Sequence, residues 1–250
     1  MAQLFGHEKL KVYQKGLGFA AISSTLLDGL SRRIAACDHL DRAAESILVN
    51  IAHACSSWSP KDRIVYLGHA NGSALECAGC LDVFVARSLL APDDVGPGKA
   101  LLAEIVSMLV TMWRATGNRV REEHTEYRTK KGNLFSHEDL DVYRAGLQLV
   151  AWFESMTTEL VCSADLLSKL DKATTAIVLN IAEGNGRFTG TDQAKFFGIA
   201  YKSTLQSASL VDLATARGPT DVFRVDHGRE LLRRIAAMLT TLSKVAAHDS

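Results

Sequence analysis

The residues able to do chemistry in this chain are few and poorly grouped. Cys77-Ala78-Gly79-Cys80 has the spacing of redox and zinc motifs. It falls inside a predicted long helix, however, and a zinc site needs a second ligand pair. In a second copy of the sequence the matching stretch, Ser207-Ala208-Ser209-Leu210, has no cysteine, and its small residues point to close helix packing. Glu45, Glu76 and Glu104 are the acids that a di-metal carboxylate centre would draw on. Such centres also require Glu-x-x-His pairs on two helices, and the sequence contains none. The counterparts of the three acids are Thr175, Gln206 and Arg234. The eight histidines are scattered, and no Ser, Cys or Asp stands in a nucleophile setting such as Gly-x-Ser-x-Gly. The expectation is a non-enzymatic protein with no catalytic residue, no metal and no cofactor.

A polar constellation remains in the second half. Gly184-Asn185-Gly186-Arg187 lies just ahead of a predicted helix start, where glycine amides and an arginine can hold an anion. A C-cap glycine at Gly184 followed by a flexible turn accounts for the same residues. Asn50 and Asn180 fall mid-helix among apolar neighbours, where a buried amide needs a partner, and a hydrogen bond between helices is expected. The candidate partner or anion contacts are therefore Asn180, Glu183, Gly184, Gly186 and Arg187. His7 and His137 occupy the same point ahead of a first helix, which suggests packing or capping.

These residues are positioned by a repeated set of helices. At an offset of 130 residues, Leu4-Phe5-Gly6-His7-Glu8-Lys9-Leu10-Lys11-Val12-Tyr13 meets Leu134-Phe135-Ser136-His137-Glu138-Asp139-Leu140-Asp141-Val142-Tyr143. The match continues without a gap through Asn50-Ile51-Ala52 against Asn180-Ile181-Ala182, to Leu101, Ile105 and Met108 against Leu231, Ile235 and Met238. Two homologous domains follow, over 1–116 and 134–250. Residues 117–133 form a polar linker with room for a short exposed helix.

Each copy reads as four helices. Leu10, Tyr13, Leu17, Ala20, Ser24 and Leu27 predict the buried face of the first. The second runs from about Asp38 to Cys55 with Leu40, Ala43, Ala44, Ile47, Ile51 and Ala54 inward. Ser59-Pro60-Lys61-Asp62 supplies a capping hydroxyl, a first-turn proline and a first-turn acid for the third, and Thr189-Gly190-Thr191-Asp192 repeats the device. Ile64, Leu67, Asn71, Leu75, Ala78, Leu81, Val85 and Leu89 mark its face, and Ala91 to Gly98 is expected to stop it. The fourth spans about Lys99 to Thr116, with Leu102, Ile105, Leu109, Met112 and Trp113 inward. Alternating β-branched runs are missing. The fold expected is all-α, as two tandem up-down-up-down four-helix bundles.

Composition narrows the function. Lys plus Arg (28) equals Asp plus Glu (28), so no global field draws the protein to nucleic acid or an acidic membrane. The densest basic cluster, Arg119, Arg121, Arg128, Lys130 and Lys131, is interrupted by Glu122, Glu123 and Glu126. Weak or absent nucleic-acid binding is expected. Charge appears early at the N-terminus and no run approaches a membrane span, so a cytoplasmic location without membrane attachment is expected. Five cysteines, an odd number, suit reduced thiols better than a disulfide framework.

Asn180-Ile181-Ala182-Glu183-Gly184-Asn185-Gly186-Arg187, followed by Lys195-Phe196-Phe197-Gly198-Ile199-Ala200-Tyr201-Lys202-Ser203, resembles the signature of the four-helix-bundle proteins encoded in ribosomal-RNA intervening sequences. Phe135, Leu140, Val142 and Tyr143 resemble that family's opening. The resemblance implies a bundle that associates into rings, often pentamers, mostly without a known activity. A related branch, the accessory variability proteins of diversity-generating retroelements, is basic and binds nucleic acid and a reverse transcriptase. This chain departs from the pattern. The first copy reads Asn50-Ile51-Ala52-His53-Ala54-Cys55, without the glutamate and glycine, and each half is near neutral, with 15 basic and 14 acidic residues in 1–130 and 13 and 14 in 131–250.

The leading expectation is an assembly or adaptor protein acting through bundle surfaces, by self-association or with another protein. A nucleic-acid accessory factor is the alternative and an unrecognised enzyme a distant third. Gly68, Ala70, Gly72, Ser73, Ala74, Ala78 and Gly79 are too many small residues for one packed core, so a neighbouring helix should approach there. With two bundles per chain, an assembly should contain an even number of bundles.

Overall fold

A computed structural model describes residues 5–57, 59–117, 134–157, 163–217 and 222–248. The expected linker, with its basic cluster, lies largely outside these residues, as do Trp58 and Cys162. Eight α-helices and no strand occur among them. They are α1 (Lys11–Asp28), α2 (Ala35–Ser56), α3 (Pro60–Ala86) and α4 (Pro92–Gly117), then α5 (Asp141–Met156), α6 (Ala164–Asn185), α7 (Gly190–Arg217) and α8 (Val222–His248). A short 3-10 turn precedes each set, at His7–Lys9 and Ser136–Asp139. In each set every helix packs on its sequence neighbours and the fourth closes on the first. The chain is thus two tandem four-helix bundles.

Local chemistry starts the helices where the sequence places the signals. Ser59 accepts from the Asp62 amide and Pro60 fills the first position of α3. Thr189 accepts from the Asp192 amide ahead of α7. The inner face of α2 is as expected, with Leu40, Ala43, Ala44, Ile47, Ile51 and Ala54 all buried. Gly98 and its counterpart Gly228 let the fourth helix approach the first. A β-carbon on Gly98 would stand 3.6 Å from Ile22 and Phe19, and one on Gly228 would overlap the Trp152 ring.

Four local expectations are corrected. In α1 the buried face is Val12, Gly16, Phe19, Ser23 and Leu27, while Leu17 and Ser24 face solvent. The core line is turned by about one residue, because Phe19 rather than Leu17 fills the centre. The Ala91–Gly98 stretch does not separate two helices. It forms the start of α4, with Pro92 at the first helical position and Pro97 inside, and the chain turns out of α3 at Ser88, whose φ is 55°. Leu89 lies past the end of α3, where its amide bonds back to the Phe84 carbonyl. Gly184 is not a C-cap. It sits inside α6 against Phe196 and Phe197, and the cap is Gly186 at φ −87°.

By length and composition α4 could cross a membrane, yet its Leu102, Ile105 and Leu109 are fully buried in the first bundle.

The largest departure from a simple bundle is α3. A surface helix shows one buried stripe, whereas α3 is buried almost all round from Leu67 to Phe84. Its second side is covered by α6 and α5 of the other copy.

Candidate functional site: the joint between the two copies

The small residues of α3 are where the two bundles meet. A β-carbon on Gly79 would stand 3.1 Å from Leu179 and 3.5 Å from Ala182, and one on Gly72 would stand 3.0 Å from the Arg187 guanidinium. Gly68 lies against Phe188, whose ring stacks on Trp113 with centroids 4.3 Å apart. The helix that approaches these small residues is α6 of the same chain, so they serve the joint between the two copies, and the expectation that they favour self-association is corrected.

Polar contacts fix the register. Asn71 donates its amide Nδ2 to the Gly186 carbonyl at 2.7 Å, both buried. Lys99 reaches Asp82 at 2.6 Å and Glu138 at 2.5 Å, and Tyr143 donates its hydroxyl to Asp82 at 2.7 Å. The start of the second bundle, with Phe135 and Tyr143 fully buried, thus plugs the groove between α3 and α4. Burial lifts the Asp82 carboxyl above its ordinary value even against Lys99. Burial also works against the Lys99 ammonium, but Asp82 and Glu138 together hold its pKa above the usual lysine value. Further along, Arg87 bonds Glu154 at 2.7 Å and Asp171 at 2.5 Å. The other Asp171 oxygen accepts from the Ala35 amide at 2.9 Å, capping α2 from the opposite copy.

His137 is fully buried between Phe135, stacked at 5.4 Å, and Tyr143, edge-on at 4.6 Å. Neither ring nitrogen has a hydrogen-bond partner, and burial, reinforced by Lys99, lowers its pKa to about 3. The ring is neutral packing, as expected of the histidines in this place.

The residues singled out in the second copy end at a cleft of about 360 Å³, lined by His39, Arg42, Ser46 and Asn50 of α2, His69, Ser73 and Glu76 of α3, and Glu183 and Arg187. Arg187 pairs with Glu183 one turn back and lies over the Phe196 ring at 4.4 Å. Burial nevertheless raises the Glu183 pKa to about 7, with Arg187 opposing. His39 meets Glu76 at 2.9 Å across the cleft. Gly186 gives its carbonyl to Asn71 across the joint, whereas Gly184 packs against Phe196 and Phe197 within the second bundle. Neither Asn50 nor Asn180 bridges helices. Asn50 Nδ2 returns to the Ser46 carbonyl and Asn180 Nδ2 to that of Ala176, each one turn back in its own helix. The anion reading of Arg187 finds its guanidinium already engaged by Glu183.

A larger cleft of about 880 Å³ opens beside it, and its lining includes Arg32, Arg33, Arg42, Arg87 and Lys172, with Asp38 and Asp171. Sequence reasoning missed this grouping because its members come from the turn before α2 (Arg32 and Arg33), from α2 (Arg42), from beyond α3 (Arg87) and from α6 (Lys172). Arg87 lies in the turn that ends α3.

The other chemistry-bearing residues do not converge. Glu45 and Glu104 are exposed, Glu104 paired with Lys15 at 2.6 Å. Cys77 and Cys80 are buried in α3, and burial pushes both thiols well above their ordinary range.

The joint is head-to-tail. By the repeat, α3 corresponds to α7 and α6 to α2. A two-fold joint pairing α3 with α6 would also pair α7 with α2, and those two do not touch among the described residues.

No curated protein and no solved structure matches the chain. The 23S rRNA-intervening sequence protein family matches over residues 8–111 and again over 138–241, one match for each bundle. The chain therefore belongs to that family, as a tandem duplication of its domain.

Proposed function

We propose that this protein is a non-enzymatic, cytoplasmic assembly or adaptor protein that works by presenting bundle faces to other protein chains. One observation carries the reading. Among the described residues, the faces that are sealed in the internal joint recur uncovered on the other side of each bundle, with large apolar side chains exposed. Phe5 is 72% exposed, Val49 42% and Leu205 48%, while their counterparts Phe135, Leu179 and Leu75 are buried. Exposed apolar groups on two defined faces mark interaction surfaces. The test is a photo-crosslinking amino acid at Val49 or Leu205 in the full chain, activated in cells. Protein-sized adducts from both positions are expected, and none from either would sink the proposal.

A second reading rests on the larger cleft, whose four arginines and one lysine suit a phosphate backbone, as an RNA accessory factor requires. It ranks lower because Arg87 is held by Glu154 and Asp171, while Arg32 and Arg42 face Asp41 and Asp38. Titration with RNA and DNA at physiological salt separates the two. Sub-micromolar, steeply salt-dependent binding would promote the second reading over the first.

A further inference from the structure

The two clefts beside the joint share a wall. His39 and Arg42 of α2 line both, with the outer, cation-rich cleft on one side and the inner cleft of Glu76, Glu183 and Arg187 on the other. By the repeat they are also the same place in the two copies. Arg42, Ser73 and Glu76 of the inner cleft correspond to Lys172, Ser203 and Gln206 of the outer one. The ionisable set of the inner cleft is not duplicated. Opposite Glu76, His69, Glu183 and Arg187 the repeat places Gln206, Ile199, His53 and Ser57, so the bundle folds without these charges.

The inner cleft, of about 360 Å³, is polar on nearly every side. Among the described residues, Ala43 is the only apolar member of its lining. Glu76 meets His39 through Oε1 and Glu183 meets Arg187 through Oε1, so each carboxylate keeps its second oxygen to accept with. Arg187 is engaged through Nη2, which leaves Nη1 to donate. Fixed acceptors and donors without an apolar floor suit a body covered in hydroxyl groups. An aliphatic or aromatic ligand would leave them unpaired.

The outer cleft supplies charge. Arg87 is held by Glu154 and Asp171, and Arg32 faces Asp41. Among the described residues, Arg33 and Lys172 of the lining have no ionic partner. Arg42, whose exposed pair with Asp38 is readily exchanged, belongs to both clefts. Two unpaired cations match one phosphate monoester, which carries a charge of about −1.5 to −2 at neutral pH. They fall short of the run of cations that a nucleic-acid backbone requires.

We infer that the joined clefts bind a small phosphorylated sugar, with its phosphate in the outer cleft on Arg33, Arg42 and Lys172 and its hydroxyls in the inner cleft on Glu76, Glu183 and Arg187. Arg33, Arg42 and Glu76 belong to the first copy and Lys172, Glu183 and Arg187 to the second, so the ligand fastens one bundle to the other. This binding is independent of the protein contacts proposed above.

The probes are ribose and glucose, each phosphorylated on its terminal hydroxyl, titrated calorimetrically into the full chain. Free glucose, inorganic phosphate and a single-stranded RNA are the comparisons. One sugar phosphate per chain is expected, bound at least about tenfold more tightly than phosphate or glucose alone, with a rise in melting temperature because the ligand binds only the folded state. Two variants divide the site. Arg33→Ala with Lys172→Ala, both at exposed positions, should remove the advantage over glucose. Glu76→Gln, which installs the amide that the second copy carries as Gln206, should remove the advantage over inorganic phosphate. Melting curves without ligand check that both variants fold. Sugar phosphates that bind the wild type no better than inorganic phosphate does, or not at all, would overturn the site, as would equal binding to wild type and both variants. Tight binding of the RNA with none of either sugar phosphate would overturn it in favour of the nucleic-acid reading.

Discussion

Gly186 of the second bundle stands so close to Leu75 of the first that a β-carbon on the glycine would overlap the leucine Cδ1 and lie 3.2 Å from its Cγ. Leu75 is fully buried, so its side chain would have to shift within the packed joint. Gly186→Ala should therefore cost about 1–3 kcal/mol as overpacking. Gly96→Ala in α4 is the control, because nothing lies within 4 Å of its new β-carbon. It should be neutral or stabilise by up to about 1 kcal/mol. Urea unfolding midpoints compare the two directly.

Removing the cation at the centre of the joint should be worse than removing a hydroxyl. Lys99→Met leaves Asp82 and Glu138 together in a site where all three side chains are 13–16% exposed, and a cost of about 3–5 kcal/mol is expected. Tyr143→Phe loses one hydrogen bond to Asp82 and should cost about 1–2 kcal/mol. Chemical denaturation of each variant gives the ranking, and equal losses would mean that the ammonium is not the keystone.

Expressed alone, residues 134–250 should form a helical domain that melts cooperatively, because α5 to α8 close on one another without help. Its midpoint should fall below that of the full chain, since Phe135, Tyr143 and Leu179 lose their cover. An unfolded product would show instead that the two copies share one indivisible core.

Two buried groups give the stability opposite pH dependences. Glu183 has a folded pKa raised to about 7, so its contribution is full below about 4.5 and is lost as pH rises through 7. Wild type should lose on the order of 2–3 kcal/mol relative to Glu183→Gln between pH 4.5 and 8. His137 has a folded pKa lowered to about 3, so its contribution is full above about 6.5 and is lost as pH falls toward 3. Acidification should cost wild type on the order of 4 kcal/mol relative to His137→Phe. Between pH 4.5 and 6.5 the two slopes oppose, so the variants reveal what the wild-type curve conceals.

Much of this fold is legible in the sequence because duplication prints it twice. The offset of 130 residues pairs Phe5 with Phe135 and Asp82 with Asp212 without a gap, and α2 shows its inner face openly at Leu40, Ile47 and Ile51. The joint is less legible, since a helix buried on all sides has no polar stripe to reveal how it is turned. Its trace in α3 is the surplus of small residues, which tells that a helix approaches and not which one. Reading Gly184 as a helix end fails for a related reason. A glycine inside a helix and a glycine after it look alike until Phe196 and Phe197 are seen to need the space. The cleft cations are harder still, since Arg32, Arg87 and Lys172 are brought together only by the way one bundle sits on the other.

The head-to-tail joint has a consequence for how such a chain can diverge. In an assembly of identical single bundles every contact is written by the same residues, and any substitution appears at all of them together. Fusion removes that constraint. Gly72 and Arg187 meet in the joint inside the chain, while their counterparts Lys202 and Ser57 can change without touching that contact. Fusion thus lets the joint keep a spelling of its own, separate from the residues that match it by descent.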